Sequence, residues 1–258
     1  MQDGSLIPRF RRARRDQSLA VLEGFHALKH ALRFDATLLE VVASDDASLE
    51  RLGAALAPDL SARLRSLAQS VEPSIFAQLA PLAPPTGVIA LAERRPGDPA
   101  EVLADPREAP VVLLEDPRDL GNMGACVRVA AAADVGGVLS TGSHDPWNPD
   151  ALRGAAGLHY ALPVARLSEL PQLDRPLLAI DPQGEPLQPA TLPPRAVLAF
   201  GTERYGLSDE LLVRADARIS IPMRAGVSSL NLATSVAAVL FAWRLSAPST
   251  PSAPDAAD

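Results

Sequence analysis

Cysteine is almost missing from this sequence. Cys126 is the only one in 258 residues, so no internal disulfide can form and a reducing, cytoplasmic compartment is expected. Long apolar runs are missing as well; none reaches the roughly 18 to 20 residues of a membrane-crossing helix. The start, Met1-Gln-Asp-Gly-Ser followed by arginines, has no apolar h-region and does not read as a signal peptide. Four scattered histidines and one cysteine supply no metal-ligand spacing, so no metal is expected. Lysine is nearly missing too, and the positive charge is carried by arginine. Lys29 is the sole lysine and the net charge is −7, which argues mildly against a nucleic-acid partner, because backbone binding relies on positive surface. Distribution can outweigh the total: Arg9, Arg11, Arg12, Arg14 and Arg15 form a basic cluster within residues 1–17, read here as a flexible terminus.

What is present is a two-part α/β pattern. Residues 19–34 read as a strand, a glycine turn and a helix, and residues 38–43 as a second strand. Helical stretches follow at 49–56, 60–67 and 74–79, and a strand at 87–92 closes this half. Arg94-Arg-Pro-Gly-Asp-Pro has linker composition, which puts a boundary at about 95–107. In the second half, strands at 111–114, 137–140, 162–165, 177–180, 196–200 and 218–221 alternate with helices. The helices are expected at 125–133, 149–157, around Glu169, and at 229–245. Continuous apolar strands separated by helices mean a parallel sheet covered on both faces. After Ser246 the composition is that of a disordered tail, 247–258.

Three stretches carry the chemistry. They are Asn122-Met-Gly124-Ala-Cys-Val-Arg128, Phe200-Gly201-Thr-Glu203-Arg-Tyr-Gly206-Leu-Ser208 and Ile221-Pro-Met223-Arg-Ala-Gly226-Val-Ser-Ser229-Leu230-Asn231. Each sets glycine and small polar residues at the carboxyl end of an apolar strand, where ligands of α/β sheets gather and backbone groups can approach closely. Local readings stay open beside the functional ones. Asn122 and Ser229 are good helix caps, Glu203 could cap the segment starting at Leu207-Ser208, and Arg128 could be a wet helix-face arginine. Arg153, Arg204 and Arg224 lie beside or between the motifs as candidate phosphate contacts. The first motif does not supply the Gly-x-Gly-x-x-Gly of dinucleotide binding.

Taken together, the three motifs in this order closely resemble the SpoU/TrmH branch of the SPOUT methyltransferase superfamily. Their patterns are Asn-x-Gly-x3-Arg, Phe-Gly-x-Glu-x2-Gly-Leu and Ile-Pro-Met-x-Gly-x-x-Ser-Leu-Asn. The third here has one extra residue between Met223 and Gly226. Val21-Leu-Glu-Gly-Phe-His, with Gly87-Val-Ile-Ala, resembles the small α/β substrate-recognition domain of members that modify large-subunit ribosomal RNA. The resemblance implies a methyltransferase domain at 107–246 with a C-terminal trefoil knot from about Phe200, preceded by an RNA substrate-binding domain at 18–95. It implies S-adenosylmethionine as donor, an RNA ribose 2′-hydroxyl as acceptor with ribosomal RNA favoured over transfer RNA, and a homodimer. Arg128 would polarise or deprotonate the hydroxyl, with Asn122 and Glu203 beside it. Ser229 and Asn231 would orient the ribose or Arg128, and Gly201, Ile221, Met223 and Leu230 would hold the adenosine. Arginine as a residue type keeps its proton almost everywhere, so electrostatic activation is as credible as proton abstraction. A non-catalytic RNA-binding protein is the alternative; the intact polar set argues against it.

Overall fold

The computed structural model describes residues 3–188, 192–202 and 205–246. The first of two units comprises α1 (Asp3–Ala13), β1 (Leu19–Glu23), α2 (Phe25–Arg33), β2 (Leu38–Ala43), α3 (Asp46–Leu56), α4 (Ser61–Leu67), β3 (Ala68–Ser70), α5 (Pro73–Phe76) and β4 (Val88–Glu93). Its strands lie in the order β1-β4-β2-β3, with β4 antiparallel to both neighbours. One face packs under α1 and α5, where Leu6, Phe10 and Phe76 meet Val21, Val42 and Ile89. The other packs under α2, where Phe25, Leu28 and Leu32 meet Leu22 and Ala90. The basic terminus read as flexible is therefore a helix. Leu6, Phe10 and Ala13 recur at helical spacing and are buried, and Arg14 donates to Glu23 at 2.6 Å.

The second unit holds α6 (Pro99–Ala104), β5 (Val111–Leu114), α7 (Leu120–Ala133), β6 (Gly137–Ser140), α8 (Pro149–Gly154), β7 (Val164–Arg166), β8 (Leu177–Pro186), β9 (Val197–Phe200), α9 (Asp209–Arg214), β10 (Ala217–Ser220) and α10 (Leu232–Ser246). The sheet runs β10-β8-β9-β5-β6-β7 and all its pairings are parallel. Along β5 all four residues are buried. Val112 and Leu114 face α7 and α10, while Val111 and Leu113 face α6 and α9. That double burial is what a continuous apolar strand predicts.

Several elements differ from the sequence reading, among them the short strand β3, which it did not contain. The supposed linker contains α6, whose start is fixed by Pro99 and by Asp98 accepting from Ala100 N. Around Glu169 there are bends and no helix. Helix α7 begins at Leu120, five residues early. The tail expected at 247–258 lies outside the described residues.

The two units share one hydrophobic cluster, which runs from Leu22, Phe25 and Leu28 through Trp147, Ala151 and Tyr160 to Val127 and Val236. Polar contacts cross the same seam. Arg153 joins Arg14 on buried Glu23, Tyr160 Oη donates to Glu93 O at 2.8 Å, Arg94 pairs with Asp145 at 2.6 Å, and Arg95 donates to Tyr160 O. Beneath them His159 lies against Trp147, ring centroids 5.1 Å apart, with Nε2 2.8 Å from Pro146 O. Burial pushes this imidazole down to about 4, with the Pro146 carbonyl and Asp145 opposing. The unfolded chain then binds the extra proton near pH 6.5 and the folded chain only near 4, so acid favours unfolding. The neutral imidazole's contribution is complete above pH 6.5 and is lost on the way down to about 4, about 3 kcal/mol in all. Urea denaturation at pH 7, 5.5 and 4.5 checks this. The stability advantage of wild type over His159→Gln should shrink steadily with acid, and a constant difference would refute it.

Candidate active site

At the carboxyl end of β9, where its pairing with β8 stops at Ile180, the second and third motifs close around a cavity of about 240 Å³. Phe200 ends β9, and Gly201 and Thr202 turn the chain away. Thr202 and Gly206 then exchange backbone hydrogen bonds of 3.1 and 2.9 Å, so the loop folds back over Gly201. A Cβ on Gly201 would overlap the carbonyl of Gly206 and the nitrogen of Leu207. Only glycine fits there, because the returning loop's own backbone occupies the place of a side chain.

The far end of this loop is anchored from β5. Glu115 accepts from Ser208 N and Oγ at 2.7 and 2.6 Å, while Ser208 Oγ accepts from Leu211 N and caps α9. Ser208 is thus the cap of α9, the role that the local reading leaves open for Glu203. Glu203 itself, like Arg204, lies outside the described residues.

The opposite wall comes from Ile221, Met223, Ser229 and Leu230 of the third motif. Ile221, Met223 and Leu230 were expected around the adenosine with Gly201, and Ser229 beside the ribose. The remaining wall, Asp181 and Pro182, was not. Strand β8 pairs with β9 up to Ile180, while β10 pairs with Leu178 and Ala179 and then jumps to Glu185. Residues 181–184 bulge from that ladder, and the bulge delivers Asp181 to the cavity. Asp181 is the one ionisable side chain among the described residues lining it.

Asn231 is both a cap and a site residue. Its Oδ1 accepts from Ala233 N at 3.0 Å and Thr234 N at 3.3 Å, which starts α10 at Leu232 and leaves Ser229 free of the expected capping role. With Oδ1 committed, Nδ2 faces outward and donates to Asn122 Oδ1 at 3.0 Å. Asn122 in turn is not the cap of α7. Asp119 holds that place, accepting from Asn122 N at 2.6 Å, so Asn122 sits on the first turn with its side chain turned to the third motif. Gly124 lets α7 and α8 touch, since a Cβ there would overlap Ala151 O.

Arg128 is not brought into the cavity. It is exposed, six residues beyond Asn122, about 9 Å along the helix axis, and lies within electrostatic range of His26, Lys29 and His30 on α2. The structure thus joins Asn122 to Asn231 and gathers Gly201, Ile221, Met223, Ser229 and Leu230, but keeps Arg128 apart. Among the described residues no cluster of potential ligands could hold a metal, and no helix is long and apolar enough to cross a membrane.

Residues 109–241 match the SpoU rRNA Methylase family. The chain belongs to that family. An uncharacterized tRNA/rRNA methyltransferase of Synechocystis sp. is 30% identical over 90% of this chain and 86% of its own length. The 23S rRNA (guanosine(2553)-2′-O)-methyltransferase RlmP of Bacillus subtilis is 27% identical, over 87% of this chain and 88% of its own. The SpoU methyltransferase AviRb of Streptomyces viridochromogenes, solved in complex with the cofactor AdoMet, superposes with a TM-score of 0.72 at 21% identity, covering 92% of this chain and 97% of that one. The SpoU domain is therefore an α/β unit with a parallel sheet, and RNA methylation is the chemistry of its family.

Proposed function

We propose that this SpoU protein transfers the methyl group of S-adenosylmethionine to a ribose 2′-hydroxyl of RNA, ribosomal RNA before transfer RNA. The cavity of the second and third motifs, with the Asn122–Asn231 pair at its edge, carries this reading. Its chemistry fits the donor. The bare backbone at Gly201 offers a flat surface for adenine, flanked by Ile221, Met223 and Leu230, and Asp181 supplies negative charge with no basic group opposing it among the described residues that line the cavity. S-adenosylmethionine would supply an electrophilic methyl on a cationic sulfonium. The chain's own part is to orient the acceptor. Asn122, Ser229 and Asn231 fix the ribose, Glu203 completes this set by its motif position, and Arg128 polarises the hydroxyl.

Because Arg128 stands outside the cavity of its own chain, we assign it to the cavity of a second copy in a homodimer. The apolar α10, with Phe241 and Leu245 exposed, gives such a dimer a surface. We also propose that the chain from Phe200 onward threads as a trefoil knot. In support, β9 lies mid-sheet, β10 at the edge beyond β8, and α10 returns to pack on α7. Residues 18–95 would form the RNA substrate-binding domain and 107–246 the methyltransferase domain. A cytoplasmic location suits Cys126, which is buried and outside any disulfide.

Transfer of labelled methyl from S-adenosylmethionine to unmodified ribosomal and transfer RNA tests the reading. Label at an alkali-resistant linkage is expected. Label at an alkali-sensitive one would mean base methylation, and cofactor binding without transfer would mean a non-catalytic protein. Mixing Arg128→Ala with Asn231→Asp chains tests the shared site. If each cavity draws its arginine from the partner, random re-pairing of the two inactive proteins restores about a quarter of wild-type activity; no restoration would place Arg128 in its own chain's site.

A further inference from the structure

The seam between α2 and α7 concentrates positive charge in an acidic protein. His26 and Arg128 are exposed, Lys29 and His30 half-buried. The imidazoles of His26 and His30 lie 6.5 Å apart, and His30 Nδ1 is 2.8 Å from Ala156 O of the second unit. Arg33 is neutralised by Asp59 through hydrogen bonds of 2.8 and 3.1 Å. Lys29 and Arg128 have no ion pair among the described residues.

These cations disturb one another. Burial first, then Lys29 and Arg128, pushes His26 down; His30 is lowered by burial and by Lys29, His26 and Arg128, against the Ala156 carbonyl. Lys29 is lowered by burial, then by Arg33 and Arg128, against Asp59. Holding these like charges together, with Asp59 as their nearby anion and already bound to Arg33, is unfavourable, and an approaching polyanion relieves it. The other basic cluster, Arg11 and Arg12 on α1 with Arg15 just beyond it, lies across the first sheet from α2.

We propose that the α2–α7 seam is a phosphate-binding track for the RNA substrate, in which His26, Lys29 and His30 hold the backbone of the strand whose acceptor nucleotide is presented to Arg128. This rests on the RNA reading above and adds the surface the RNA follows. It also couples binding to protons. A phosphate beside His26 and His30 favours their charged forms, so binding takes up protons and tightens as pH falls from 8 to 6.

Filter binding of the full chain to unmodified ribosomal RNA, over a range of salt at pH 6, 7 and 8, tests it. Lys29→Gln should weaken binding several-fold and reduce the slope of log affinity against log salt by about one unit. His26→Gln with His30→Gln, which keeps a donor for Ala156 O, should flatten the pH dependence between 6 and 8. Arg11→Gln with Arg12→Gln should change neither. S-adenosylhomocysteine binding, measured by calorimetry, should be unaltered in every variant, which separates the effect from misfolding. Wild type that binds RNA while Lys29→Gln matches it in affinity and slope overturns the track alone. Wild type that binds and methylates no RNA overturns the RNA reading and the track with it.

Discussion

Asn231→Asp should lower kcat for methyl transfer on the order of a hundredfold while leaving the fold and cofactor affinity nearly unchanged. Asparagine and aspartate cap helices about equally well, so the bonds from Ala233 N and Thr234 N that start α10 survive. What disappears is the amide N–H donated to Asn122 Oδ1. Two acceptors would then face each other, and the Asn122 amide must turn over to offer its own NH2. That reversal puts an acceptor where a donor had been, at the edge of the cavity that receives the ribose. Leu230 and Ser229, which line the cavity, need not move. Steady-state kinetics, calorimetry with S-adenosylhomocysteine and a thermal melt separate the possibilities. A fall in kcat alone supports an orienting pair, whereas unchanged kcat would reduce Asn231 to a helix cap.

That dual role shows what the sequence could and could not reveal. The inner strands of the second sheet were legible because they are buried on both faces, so 111–114 appears as an unbroken apolar run and 137–140 as a short one between Gly137 and Ser140. The helix under the N-terminal arginines was not, because Leu6, Phe10 and Ala13 are outnumbered by charge in the same window. Asn122 and Ser229 looked like caps because both stand just ahead of helical sequence. The true caps, Asp119 and Asn231, stand three and two residues away from them, and backbone geometry decides between the candidates.

The glycine-bearing walls of the cavity were legible for a related reason. Where backbone must meet backbone, as at Gly201, no other residue type serves, and composition records the constraint. Asp181 left no such trace. It reaches the cavity only because β10 breaks register against β8, and that bulge depends on a strand more than thirty residues downstream. Glu115 and Ser208 are 93 positions apart, with nothing local to link them. Arg128 was expected at the strand ends from its place on the same helix as Asn122. Its actual neighbours, His26, Lys29 and His30, were set by how the first unit packs on the second, which no period within α7 encodes.

The other large effect is expected at Gly201. Gly201→Ala should weaken S-adenosylhomocysteine binding roughly tenfold to a hundredfold and abolish measurable transfer at ordinary cofactor concentrations. The added methyl would overlap Gly206 C and O and Leu207 N, all backbone, so no rotamer change can relieve it. The loop has to lift, and lifting breaks the paired bonds between Thr202 and Gly206 and pulls on the Glu115–Ser208 anchor. The cavity wall and the start of α9 are then disturbed together. Gly206→Ala is the natural control. A Cβ there meets nothing within 4 Å, but φ is +68°, so that substitution should lower stability by about 1 kcal/mol through backbone strain and leave binding within a few-fold. If both variants lose binding equally, loop strain and not close approach governs the cavity. If Gly201→Ala binds normally, the loop is adaptable, and the flat backbone surface assigned to the adenine is not what holds it.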